Sequence, residues 1–182
     1  MTEPPTLAAK LGMTTHLSPL LRKAQRLGLD ADGLERLAIS RGCDYYGPGD
    51  PQPAPPVTRG RFSDTELAMA LLNPALRYHP QTLRLGAAMV SAEGNHPDDL
   101  AHLAKLERCE SLLRYIAECG HKFEPQNPFW ADLLGRLPPT PSPRSDVVPH
   151  PTRFVAMTGV TRRGAETVVQ WIRPSRPATA HG

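Results

Sequence analysis

The chain has no apolar run near the ~18 residues that a membrane-spanning helix requires. Its first twenty residues, MTEPPTLAAKLGMTTHLSPL, lack the charged start and unbroken apolar core of a secretory signal. The expectation from these absences is a soluble, cytoplasmic protein that does not enter a membrane. Cysteine is scarce as well: Cys43, Cys109 and Cys119 make an odd count without framework spacing, which excludes a disulfide scaffold and predicts thiols of a reducing compartment. There is no glycine-rich phosphate loop, no G-x-S-x-G, no H-E-x-x-H and no repeat at solenoid spacing. The sequence therefore predicts a protein that is not an enzyme and carries no cofactor and no metal.

The densest chemistry lies in ERCESLLRYIAECGH, residues 107–121, with two cysteines and a histidine. On a continuous helix, Cys109 and Cys119 stand ~15 Å apart along the axis and ~80° apart around it. That separation excludes a shared tetrahedral zinc, whose Zn–S bonds are ~2.3 Å. His121 beside Cys119 supplies neither a common zinc spacing nor a fourth ligand. The expectation for all three cysteines is buried, inert packing.

Proline, by contrast, is abundant: twenty-one residues, roughly twice ordinary usage, eleven of them in two joints. The first joint, residues 47–60, separates N-terminal helices in 1–46 from a helical core array in 61–137. The second, residues 138–152, leads to a β-hairpin docking element over 153–174 and a disordered tail over 175–182.

Start and stop signals place the helices. Ser18 and Pro19 open one that Gly28 closes, Asp30 caps one that Gly42 closes, and Ser63 with Glu66 forms a capping box, with Phe62 placed to staple onto Leu67. His79-Pro80 and Asn127-Pro128 open two more, and Gly86, Ala87 and Ala88 would let a neighbour approach closely. The longest segment runs from Pro97 to about Cys119, with Gly120 as its stop. Its apolar stripe changes sides near Lys105: Leu100, Leu103 and Ala104 share one face, and Leu106, Cys109, Leu113, Ile116 and Ala117 the opposite one. Either the helix breaks there or its halves pack on different neighbours.

Beyond the second joint, RFVAMTGV and ETVVQWIR flank TRRGA, a hairpin signal. A lone hairpin is marginal in water, so this one must pack on the helical body, join a partner's sheet or pair between copies. The fold class predicted is mainly α, a small array of about six to seven helices with a C-terminal β-hairpin-like tail.

Charge is unevenly placed: residues 137–182 carry six Lys/Arg against two Asp/Glu. Candidate contacts for a partner or for nucleic acid are Arg22, Lys23 and Arg26 on the second helix, and Arg162, Arg163, Trp171, Arg173 and Arg176 in the tail, with Trp171 a candidate anchor on an exposed strand. One stretch, LAAKLGMTTHLSPLLRK at residues 7–23, resembles the helix-turn-helix of AraC-type regulators. It departs from that pattern by one residue after Met13-Thr14 and by Pro19 in the second helix. The resemblance implies groove or phosphate contacts for Thr15, His16 and Arg22. Function is expected to be binding: a small helical adaptor or accessory subunit that meets a protein partner, or self-associates, through the C-terminal hairpin. The alternative is a nucleic-acid-binding accessory protein using the helix-turn-helix-like segment, the Arg-rich tail or both.

Overall fold

The computed structural model describes residues 5–12, 18–43, 62–143, 146–158 and 168–175. Thr15, His16, Arg162, Arg163, Arg176 and the whole 47–60 joint lie outside the described residues. Within them the chain is mainly helical. The helices are α1 (Leu7–Leu11), α2 (Pro19–Arg26), α3 (Ala31–Ser40), α4 (Asp64–Leu71), α5 (Pro80–Val90), α6 (Pro97–Glu107), α7 (Glu110–Phe123) and α8 (Pro128–Arg136). A 3-10 turn, Pro151–Phe154, then leads into β1 (Val155–Thr158), which pairs antiparallel with β2 (Val168–Trp171), Val155 standing opposite Trp171.

Local chemistry sets the helix starts. Ser18 Oγ accepts from Leu21 N, Asp30 from Gly33 N and Asn127 from Phe129 N, while Ser63 and Glu66 close a reciprocal capping box. Each such cap satisfies an amide that has no partner inside its helix. His79 and His96 occupy the capping positions of α5 and α6, but neither side chain caps. There the following proline defines the start through its fixed φ.

α4 and α5 form the centre. Five consecutive residues, Leu67–Leu71, are buried in α4, and α5 buries Leu85 through Val90 without interruption. A helix apolar on every side is one surrounded by neighbours. Gly86 permits the closest approach of the pair, since a Cβ there would stand 2.7 Å from Leu72 Cδ2.

The segment predicted as one helix from Pro97 to Cys119 is two. Arg108 adopts φ 57°, the left-handed conformation, and ends α6; the amide of Cys109 then donates to the Ala104 carbonyl, and α7 begins at Glu110. The switch of apolar face seen in the sequence marks this break. Leu106, grouped there with the second face, belongs to α6 and is 49% exposed, whereas Cys109, Leu113, Ile116 and Ala117 are buried. The helix count is accordingly eight among the described residues.

Gly120 is likewise not a stop. α7 continues to Phe123, and Gly120 is buried because the ring of Trp130 from α8 lies directly on it. A Cβ at Gly120 would sit 2.3 Å from two ring atoms of Trp130. Absence of a side chain, rather than freedom of φ, is what this position requires.

α1 is a five-residue helix that Gly12 ends with φ 70°. It docks through backbone bonds, Leu7 N to Leu76 O and Ala8 N to Pro74 O, onto the turn between α4 and α5. Pro19 is the first residue of α2, not an interior residue of a recognition helix, so α2 has its full hydrogen-bonding ladder and only eight residues.

Candidate functional site: the outer face of α2 and the anchored C-terminal strand

α2 buries Leu20, Leu21 and Ala24 and turns Arg22, Gln25 and Arg26 outward. The three basic residues grouped in the sequence separate here. Lys23 reaches back to α4, where its Nζ lies 2.8 Å from Oε1 and Oε2 of Glu66 and 5.3 Å from the centre of the Phe62 ring. Burial raises the Glu66 carboxyl, but Lys23 and the bonds to Ser63 outweigh it and hold the group below its ordinary value. Arg22 and Arg26, one turn apart, make no ion pair among the described residues. With Pro19 and Gln25 they line an open hollow of about 610 Å3. α2 has no acidic residue; in the next helix Asp30 serves as the cap of α3 and Asp32 pairs with Arg77.

The base of α2 rests on a buried polar knot. Glu107, 4% exposed at the end of α6, accepts from Leu20 N at 3.2 Å and from Asn73 Nδ2 at 2.8 Å, and Asn73 Nδ2 also donates to Ser18 Oγ at 2.9 Å. A carboxylate placed at a helix N-terminus is stabilised by the amides and dipole it faces. The result is a fixed orientation of α2 on the body, which aims its outer face.

In the tail, Trp171, a candidate contact in the sequence, faces inward. Trp171 is 2% exposed: it stacks on Phe154 at 5.4 Å, meets Trp130 edge-on at 4.8 Å, and donates its indole N–H to the Ala87 carbonyl at 3.3 Å. The physical reason is area. A hairpin too small to bury a tryptophan between its own strands buries it against the helices instead.

Arg173, also predicted as a partner contact, is held within the chain. Its Nη1 donates to Glu124 Oε1 at 2.7 Å, and Nη2 donates to Oε2 of the same carboxylate. Glu124 further accepts from Trp130 Nε1 at 2.9 Å, Asn127 Nδ2 at 3.2 Å and the Trp171 amide at 3.3 Å. Burial pushes this carboxyl up, but the bonds from Arg173, Trp130 and Asn127 together with the Arg173 charge bring it down to about 2. The chain after β2 is held as far as Ser175, whose amide donates to the Gly42 carbonyl at 2.9 Å; residues 176–182 of the expected tail lie outside the described residues. The second joint also packs in part, with Val147 and Val148 buried.

Sequence reasoning missed Glu124, Glu107 and Gly120. Glu107 finds its partners 34 and 87 residues away, and Glu124 joins its local partners Asn127 and Trp130 to Trp171 and Arg173 47 and 49 residues away, links that leave no local pattern. Gly120 did leave one: Leu113, Ile116, Ala117 and Gly120 follow i, i+3, i+4, i+7 and so continue a buried stripe.

The cysteines are buried. Cys43 Sγ lies 3.4 Å from Met89 Sδ, Cys109 Sγ lies 3.9 Å from Met69 Sδ, and His121 is exposed. Burial, reinforced by Glu107 and Glu110, pushes the Cys109 thiol far up, and burial raises Cys119 to about 11. Neither is activated as a nucleophile, which acts as the thiolate. Among the described residues no group of three or more His, Cys, Asp or Glu side chains is placed to hold a metal ion, and no helix is long and apolar enough to cross a membrane. Comparison of the chain with protein-family models, with curated proteins and with solved structures found no match.

Proposed function

We propose that the chain is a cytoplasmic, non-catalytic binding protein, a small helical adaptor or accessory subunit that meets an acidic surface of a protein partner through the outer face of α2. The observation that carries this reading is the exposed pair Arg22 and Arg26, without an ion pair among the described residues, on an acid-free helix and bordering an open hollow. Leaving two guanidiniums without carboxylates on a helix otherwise tied into the body suits recognition of carboxylates, which arginine binds in a bidentate manner.

A nucleic acid is the less favoured partner. With Lys23 held by Glu66 and Arg173 by Glu124, the described residues supply two phosphate contacts on this face, for a salt slope of about −2, far short of the six to ten typical of dedicated binders.

The test is fluorescence anisotropy of a labelled glutamate-rich peptide and of labelled single- and double-stranded DNA and RNA, at low and near-physiological salt. The wild type is compared with Arg22→Glu/Arg26→Glu. Expected is binding of the acidic peptide that drops at least ~10-fold in the variant, about 1.4 kcal/mol. Nucleic-acid binding that persists at physiological salt would replace the protein partner with a nucleic acid, and binding of neither would remove α2 as the site.

A further inference from the structure

We propose that the segment recognised by α2 is itself a helix, one that presents two carboxylates four residues apart to Arg22 and Arg26, an inference that rests on α2 being a carboxylate-binding face.

The hollow on α2 follows the helix axis. Pro19, Arg22, Gln25 and Arg26, which line it, are all exposed and stand at i, i+3, i+6 and i+7, one stripe of the helix over about 10 Å. Arg22 and Arg26 are separated along that stripe by a rise of ~6 Å. Lys23 faces α4 and is held there by Glu66, so the stripe offers two positive charges at one pitch rather than a run of three. A matching ligand carries two acids at the same pitch. Acids four residues apart on a helix repeat the ~6 Å rise, and acids on alternate residues of an extended strand stand ~6.7 Å apart. Spacing alone admits either form.

The backbone of α2 decides between them. An extended peptide draws its affinity from main-chain hydrogen bonds to the surface it joins. α2 has few to give. Pro19 carries no N–H, Leu20 N donates to Glu107, Leu21 N to Ser18 Oγ and Arg22 N to the Ser18 carbonyl. In the last turn the carbonyls of Lys23, Ala24 and Gln25 accept from Leu27, Leu29 and Gly28. What faces outward is therefore a row of side chains, and side chains meeting side chains is how two helices pack. A helical partner also holds both carboxylates on one face before it binds, so less freedom is lost than by a flexible acidic chain. The Glu107 knot supplies the corresponding rigidity on this side, since it fixes the first turn of α2 to the body.

The experiment measures fluorescence anisotropy of three labelled alanine-based peptides, each with two glutamates, against the full-length protein at low salt. The first is locked helical by a lactam bridge and carries its glutamates at i and i+4. The second is locked in the same way with glutamates at i and i+2, which turns one carboxylate away. The third keeps the i, i+4 spacing but has a proline between the glutamates and no bridge, so it is not helical. The first should bind about 5-fold more tightly than either of the others, the effect of one ion pair lost, and Arg22→Glu/Arg26→Glu should abolish that preference. Equal binding of all three, lost together in the variant, overturns the helical partner and leaves α2 as a carboxylate-binding face. Tightest binding by the third peptide overturns it in favour of an extended partner. A preference for the first that survives in the variant places the helix elsewhere and overturns it too. Binding of none, with the glutamate-rich peptide of the preceding test still bound, overturns the helical partner alone; loss of that peptide as well removes the carboxylate-binding face with it.

Discussion

Gly120→Ala tests the packing of the anchored C-terminal strand through a change of sign. In an exposed helix interior, replacing glycine with alanine stabilises by about 1 kcal/mol, because glycine loses the most backbone freedom on folding. At Gly120 the added Cβ would lie 2.3 Å from Cδ2 and Cε2 of Trp130 and 2.6 Å from Cε3. Ordinary carbon contacts begin near ~3.5 Å, so the ring must retreat by about 1 Å or more. It has no slack for this: Trp130 is fully buried, bonded through Nε1 to Glu124 and packed edge-on against Trp171. Overpacking of that kind costs ~1–3 kcal/mol, and here the upper end applies because a rigid ring and the Glu124 bonds move together. Net of propensity, Gly120→Ala is expected to destabilise by about 2 kcal/mol, read as a lower urea midpoint at unchanged slope. Gly135→Ala is the matched control, since nothing lies within 4 Å of the Cβ it would add to α8. It is expected to be neutral or stabilising by up to ~1 kcal/mol. Equal stabilisation by both substitutions would refute the placement of Trp130 on α7.

Three further outcomes follow from the same structure. Glu124 titrates near 2 when folded against an ordinary 4.5, so the unfolded chain takes up its proton first and the stabilisation by Glu124, full above about pH 5, is lost as pH falls from there towards 2. The stability difference between wild type and Glu124→Gln should therefore shrink by about 3 kcal/mol between about pH 6 and pH 2, measured by urea unfolding at each pH. Asn73→Ala removes donors from Glu107 and Ser18 and leaves a buried carboxylate short of one bond, which should cost ~1–3 kcal/mol in thermal or urea unfolding. The three buried thiols should react with a chromogenic disulfide at about pH 8 only as fast as the fold opens, and promptly in denaturant; one fast thiol in the native protein would contradict their packing.

Much of the helical layout was legible in the sequence because helix starts are local. Ser18, Asp30, Ser63 with Glu66, and Asn127 each announce a cap within three residues of the amide they satisfy. The break at Arg108 was half legible: the apolar stripe changed sides, but a left-handed arginine carries no signature, since the residue favoured in that conformation is glycine. Gly120 was misread because a glycine near the end of an apolar pattern looks like a stop, and only the facing ring of Trp130 distinguishes contact from termination. The hairpin was legible as a hairpin, but its destination was not. Trp171, Arg173 and Ser175 find their partners at Ala87, Glu124 and Gly42, pairings that depend on how α3, α5 and α7 come together. On α2 the amphipathic pattern put Arg22, Lys23 and Arg26 outside, and only the position of Glu66 on α4 separates the engaged lysine from the two arginines, which make no ion pair among the described residues.

Assigning outward chemistry to α2 rests on the C-terminal strand being part of the body rather than a tether held out for a partner. The most direct measurement is hydrogen exchange at the amides of Trp171 and Ile172 in the isolated full-length protein, the first bonded to Glu124 and the second to the Phe154 carbonyl at 3.0 Å. Both amides should exchange slowly, with opening free energies near that of global unfolding, as for the core of α4 and α5. Exchange at the rate of an unprotected chain, with the helices still protected, would contradict the anchored strand and return Trp171 and Arg173 to the surface.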